Sequence, residues 1–226
     1  GAHRRLGCQA KLCGDVVIDV PPESQVHRQV VRKSDDTRQI ALEPVVRLHF
    51  IQVAEPNIDD PSSDFTRLCE ALKAQWNIDA SMPDLRVLNG LQKTLRAGEW
   101  KVTVAVRKGR DIVGIYPGLV ETAYGVAVDV GSTTIAAHLS DLYTGETLAS
   151  AGLMNPQIRF GEDLMSRVSY VMMNPGGENE MTDAVRAALN DLVGEVVNEA
   201  RITRERVVEM TVVGNPIMHH LFLGLD

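Results

Sequence analysis

"YGVAVDVGSTTIAAHLSDLYTGETLAS", residues 124–150, decides the fold. Apolar runs flank Asp-Val-Gly-Ser-Thr-Thr at 129–134, and Tyr-Thr-Gly at 143–145 makes a second reversal. The stretch therefore reads as three consecutive strands joined by two tight turns. An ordinary Asx turn would explain the composition of 129–134. Three features point beyond it: a wholly apolar strand before the turn, a long hydroxyl run, and a second small turn at Thr144-Gly145. Asp129 ends the strand where a side chain projects into a cleft. Gly131 lets a ligand approach the backbone closely, and successive N–H groups in such a turn form a concave anion site. Ser132, Thr133 and Thr134 add hydroxyl donors. An acid that holds hydrated magnesium, beside a glycine and hydroxyls that hold phosphates, is an ATP site in pattern.

Downstream, 161–172 and 181–200 carry helical patterns, and "RVVEMTVVGNP" (206–216) is a buried strand ending at Gly214-Asn215. Three strands, helices and a further strand make an α/β half-domain, placed at 122–226. Upstream, "VVRLHFIQVAEP" (45–56) reads as a strand. "PSSDFTRLCEALKAQW" (61–76) is a helix capped by Ser62 or Ser63, with Phe65, Leu68, Cys69 and Leu72 at helical spacing. "PDLRVLNGLQKTLR" (83–96) is a helix opened by Pro83, with Leu85, Leu88, Leu91 and Leu95 on one face. "WKVTVAVRKGRDIVGIYPG" (100–118) gives two strands around a Lys-Gly turn. Residues 44–119 thus form a small α/β module of order β-α-α-β-β. Residues 25–43 are linker-like, and 13–24 hold a short strand ended by Pro21-Pro22.

A net charge of -7 and only 4% aromatic residues disfavour nucleic acid as a partner. No apolar run approaches the ~18 residues that span a bilayer, and no secretory signal opens the chain. Three cysteines, an odd number, fit a reducing compartment, so the expected location is the cytoplasm.

"VDVGSTTIAAHL" with "YTGETL" resembles the first phosphate hairpin of the superfamily of acetate and sugar kinases, heat-shock ATPases and actin. "NPQIRFGEDLMSRVSY" (155–170) and "VVGNPIMHHLFLGLD" (212–226) narrow this: they resemble the ASKHA-domain reductive activators of corrinoid proteins. The resemblance implies a middle module followed by the first lobe of an actin-like, ribonuclease-H-like ATPase domain. It also implies a 2Fe-2S ferredoxin domain ahead of the linker, and "RRLGCQAKLCGDVVIDVP" is similar to the end of one. On that match residues 1–24 close the ferredoxin-like domain and Cys8 is the fourth cluster ligand. The alternative for Cys8 is a free, half-buried thiol, and Cys13 has no place in the pattern. With the other cluster cysteines and the second lobe missing, the chain reads as an interior fragment. It is expected to hold no cluster, to bind ATP weakly and not to hydrolyse it.

What the resemblance implies for the whole protein is ATP-driven, one-electron reduction of a cobalt(II) corrinoid to cobalt(I), with a corrinoid protein and an electron donor as partners. A homodimer is left open. Alternatives are a sugar-kinase-like or activase-type ATPase of another pathway, and a non-enzymatic docking module. Gly214-Asn215 either faces the nucleotide cleft or caps the helix "PIMHHLFLGL", and the two roles are compatible. His219 and His220, adjacent on a helix, point about 100° apart and cannot chelate as an i, i+4 pair does. Arg159, Glu162, Asp163 and Arg167 read as a solvated face or a partner contact, and Met165, Met172 and Met173 as core filler.

Overall fold

The computed structural model describes Gly14 and residues 41–225. The strand expected within 13–24, Cys8, Cys13 and most of the linker lie outside them. Two four-stranded sheets carry the architecture, and the expected α/β class holds.

The first sheet has the order β1-β3-β4-β2, from β1 (Val46–Gln52), β2 (Met82–Pro83), β3 (Lys101–Arg107) and β4 (Asp111–Pro117). Lys108 and Gly109, with φ of 51° and 69°, are the left-handed pair at the centre of the β3–β4 reversal, which Arg110 N–H closes on Arg107 C=O at 3.1 Å. Helices α1 (Asp64–Trp76) and α2 (Leu85–Ala97) cover one face. Ser63 caps α1 through Thr66 N–H. Pro83 does not open α2: it pairs with β4, and Asp84 is the cap. The buried face of α2 is Val87, Leu91 and Leu95, an i, i+4, i+8 row, whereas Leu85 and Leu88 are 70% and 45% exposed. The i, i+3 leucine row drifts round the helix, and the shorter valine at 87 takes the inward position.

The outer edge of β1 is closed by side chains. Leu48 N–H donates to Tyr143 Oη at 2.7 Å, Trp76 Nε1 donates to Phe50 C=O at 3.0 Å, and Gln75 exchanges two hydrogen bonds with Gln52.

The second sheet has the order β7-β6-β5-β8, from β5 (Tyr124–Val130), β6 (Thr134–Asp141), β7 (Thr147–Met154) and β8 (Val207–Gly214). Strands β5, β6 and β7 form an antiparallel meander, and β8 joins β5 in parallel after α3 (Leu164–Met173) and α4 (Gly177–Glu199). A parallel neighbour needs such a crossover, which is why the helices lie between β7 and β8. Val126, Val128 and Val130 alternate onto the face packed by Met181, Val185, Leu189, Leu192 and Val196 of α4. A short 3-10 turn, Pro156–Phe160, precedes α3, and α5 (Pro216–Leu223) follows β8. Thr182 and Arg186 of α4 donate to the C=O groups of Leu221, Phe222 and Leu223, which satisfies the last turn of α5.

The sheets meet through Val208, packed on Val46, Ala105, Val113 and Tyr116. At that seam Arg206 lies 5.3 Å from the Tyr116 ring and 5.5 Å from the Tyr124 ring, and donates to Thr122. Tyr116 Oη in turn donates to Glu205 C=O at 2.9 Å. Burial pushes the Tyr116 phenol upward, so it remains a donor across the physiological range.

Candidate functional site

The β5–β6 turn is built from its carbonyls inward. Asn155 Nδ2 donates to Gly131 C=O at 2.8 Å, and Asn155 N–H donates to Thr133 C=O at 2.8 Å. Arg167 Nη2 donates to Ser132 C=O, and Gly131 N–H donates to Thr134 C=O at 2.9 Å. All four carbonyls of 131–134 are thus engaged by protein donors. A turn with its carbonyls bound inward turns its N–H and hydroxyl side to anions. Thr133 is exposed; Gly131, Ser132 and Thr134 are half-buried.

Gly131 is needed for space. A Cβ there would stand 2.7 Å from Thr134 C=O, the acceptor that closes the turn. Asp129 alternates onto the sheet face opposite the α4 core and is half-buried.

Gly214 and Asn215 come to the same end of the sheet. The parallel register pairs Asp129 with Val213 and Val130 with Gly214, so β5 and β8 end together. A Cβ on Gly214 would approach Val130 C=O to 3.0 Å, which fits the tight convergence. Asn215 Oδ1 accepts Met218 N–H at 3.0 Å, with Pro216 in the first helical position. The capping role is therefore filled, and it aims the positive end of α5 at the turn's end of the sheet.

Two residues that hold the turn escaped the sequence reading. Asn155 is 1% exposed; its Oδ1 caps the 3-10 turn at Gln157 N–H, and the buried Gln157 reaches Met181 C=O on α4. Arg167 is wholly buried rather than on a solvated face, and Nε also donates to Gly161 C=O at 2.9 Å. Burial lowers its pKa, with the Asp163 carboxylate a partial counterweight. The signal was present: Arg167 falls on the apolar stripe of Leu164, Val168 and Val171. Asp163 does lie at a helix start, accepting Ser166 N–H and Oγ–H. Those bonds draw its pKa down.

The methionines are not core filler. Met165, Met172 and Met173 are 70%, 81% and 78% exposed, because α3 has ten residues and a single buried position, Arg167. With Val168, Val171, Ile217 and Leu221, Met172 borders a cavity of about 550 Å³. His219 and His220 are exposed, and no cluster of metal-ligating side chains occurs among the described residues. No helix among them is long and apolar enough to cross a membrane.

Comparison with known proteins gives two regional matches. Residues 35–122 match the RACo linker region, and residues 124–226 match the RACo middle region. The chain is 24% identical over 223 residues to a corrinoid activation enzyme, RamQ, of Eubacterium limosum, covering 98% of the chain and 37% of the relative. Among solved structures, a reductive activator for a corrinoid, iron-sulfur protein superposes with a TM-score of 0.67 at 31% identity. It covers 84% of this chain and 31% of its own. The chain therefore spans about a third of the length of these relatives. The shared fold carries the α/β module and the actin-like lobe of the second sheet. Across both of its sheets the chain belongs to the RACo family of corrinoid reductive activators, as its linker and middle regions.

Proposed function

We propose that the second sheet carries the phosphate-binding half of an ATP site that serves reductive activation of a corrinoid protein. The observation that supports it is the inward tethering of the Gly131, Ser132 and Thr133 carbonyls by Asn155 and Arg167, which turns the hydroxyl side of the turn outward beside Asp129. In this reading Gly131, Ser132, Thr133 and Thr134 hold phosphate oxygens, and Gly214 and Asn215 border them with the positive end of α5. Asp129 is the catalytic acid side chain that would hold magnesium through bound water; the ion would neutralise charge on the phosphates.

The relatives named for corrinoid activation support the wider reading: ATP hydrolysis drives one electron from a donor to a cobalt(II) corrinoid, restoring cobalt(I). A 2Fe-2S cluster with Cys8 as one ligand would deliver that electron in the whole protein. Residues 1–24 would end the ferredoxin-like domain, 25–43 would be a connecting segment that runs into the matched linker region, 44–119 the α/β module within that region and 122–226 the first ATPase lobe. A cytoplasmic location belongs to the same reading. Since a lobe holds only half of the clamp, residues 1–226 alone should bind ATP weakly without turnover.

Titration of the two-lobed protein with magnesium-ATP, parent against Asp129→Ala, tests the site. The parent should bind and the variant should lose its magnesium dependence; equal binding by both would defeat the assignment.

A further inference from the structure

Helix α3 is attached to the body of the protein in an unusual way. Its single buried residue is a cation, Arg167, and its outward side shows three exposed methionines. The guanidinium donates to Gly161 C=O and Ser132 C=O and lies 3.6 Å from Met218 Sδ. Asp163, one turn earlier, uses Oδ1 to cap its own helix.

A buried guanidinium hydrogen-bonded to carbonyls and a thioether keeps a positive charge that the Asp163 carboxylate offsets only in part, where charge acts over longer distances than in water. That charge sits behind the middle carbonyl of the 131–134 turn. The fork matters as well as the charge, because Nε and Nη2 hold two different backbone segments at once, which an ammonium group cannot do in the same plane. Gly161 allows the approach: a Cβ there would stand 2.7 Å from the Arg167 backbone nitrogen.

We propose that Arg167 is the positioning residue of the turn: it fixes the Ser132 carbonyl inward, biases the turn toward polyphosphate, and ties occupancy of the turn to the ordering of α3. This rests on the nucleotide reading of the turn. Linkage makes the last part reciprocal, so a ligand that stabilises the turn stabilises α3 through the same guanidinium.

The test uses the full-length protein with Arg167→Lys, which keeps charge and loses the fork, and Arg167→Met, which loses both. Magnesium-ATP and magnesium pyrophosphate are titrated by calorimetry, and amide hydrogen exchange is followed with and without ATP. In the lysine variant, affinity for both ligands should fall about tenfold, as expected for one lost charge-assisted hydrogen bond. The parent should show ATP-dependent protection of α3; in the lysine variant that protection should vanish, and exchange at 132–134 should quicken even without ligand. The methionine variant should bind more weakly still; if it does not fold, the lysine variant, checked by circular dichroism, carries the test. Parental affinity in the lysine variant, or α3 protection that survives the substitution, would overturn the proposal. A parent that binds neither ligand would overturn the nucleotide reading instead. Unchanged ligand-free exchange at 132–134 in the lysine variant would then reject the positioning role as well.

Discussion

Asn155 shows how much of the second sheet rests on one amide. Its side chain and its backbone N–H hold alternate carbonyls of the turn, and its Oδ1 starts the next helical turn. Asn155→Ala should cost ~1–3 kcal/mol, the penalty of leaving buried polar groups unpaired, and should loosen the turn. Chemical denaturation with magnesium-ATP titration checks both effects. Gly131→Ala should likewise disable binding, since the added methyl meets Thr134 C=O. His49 gives a pH signature. It is 9% exposed, stacks edge-on against Trp76 with ring centroids 5.0 Å apart, and has an Nδ1 without a hydrogen-bond partner. Burial, then the Arg47 charge, depresses its pKa. The unfolded chain therefore binds the proton first on acidification, so stability falls as pH drops below about 6.5, until the folded-state pKa is reached. Melting curves between pH 7.5 and 5 should show this slope reduced in His49→Phe; an identical slope would remove His49 as its source. At this scale the sequence disclosed Asp129, Gly131 and the hydroxyls because polar residues after an apolar strand stand out. It concealed Asn155 and Arg167, whose partners are backbone carbonyls 24 and 35 residues away, and carbonyls leave no trace in side-chain patterning.

Among the elements, α5 allows capping to be separated from ligand contact. Asn215→Ser keeps an acceptor for Met218 N–H, whereas Asn215→Ala removes it and should cost about 1 kcal/mol. If Asn215 serves only as a cap, the serine variant should match the parent in melting temperature and ATP affinity. Weaker ATP binding at unchanged stability would assign it a ligand contact too. The strands were readable because β-branched alternation and Lys-Gly or Thr-Gly reversals act locally. The inward face of α2 was not, since Leu85 and Val87 are both apolar and only packing against β4 selects between them. The exposed methionines have the same origin: apolar character sets what a residue prefers, while the length and placement of α3 set what it receives.

For the molecule as a whole, the Arg206 seam joins the two sheets. Its guanidinium lies against one tyrosine from each module and bonds Thr122 in the connection between them. Arg206→Ala should leave each sheet intact yet uncouple their unfolding, so that a single calorimetric transition broadens or splits. Protease cutting within 118–123 should quicken as well. A sharp single transition in the variant would place the coupling elsewhere, in Val208 and its neighbours.

The closed border of the first sheet has its own consequence. On one side Tyr143, Trp76 and Gln75 occupy the outward backbone groups of β1, and on the other β2 is two residues long. Both borders are thereby made poor templates for the growth of a foreign strand. Association through this module must therefore be side chain to side chain, over surfaces such as exposed Leu85 and Leu88, and so will be reversible and sensitive to single substitutions rather than polymerising.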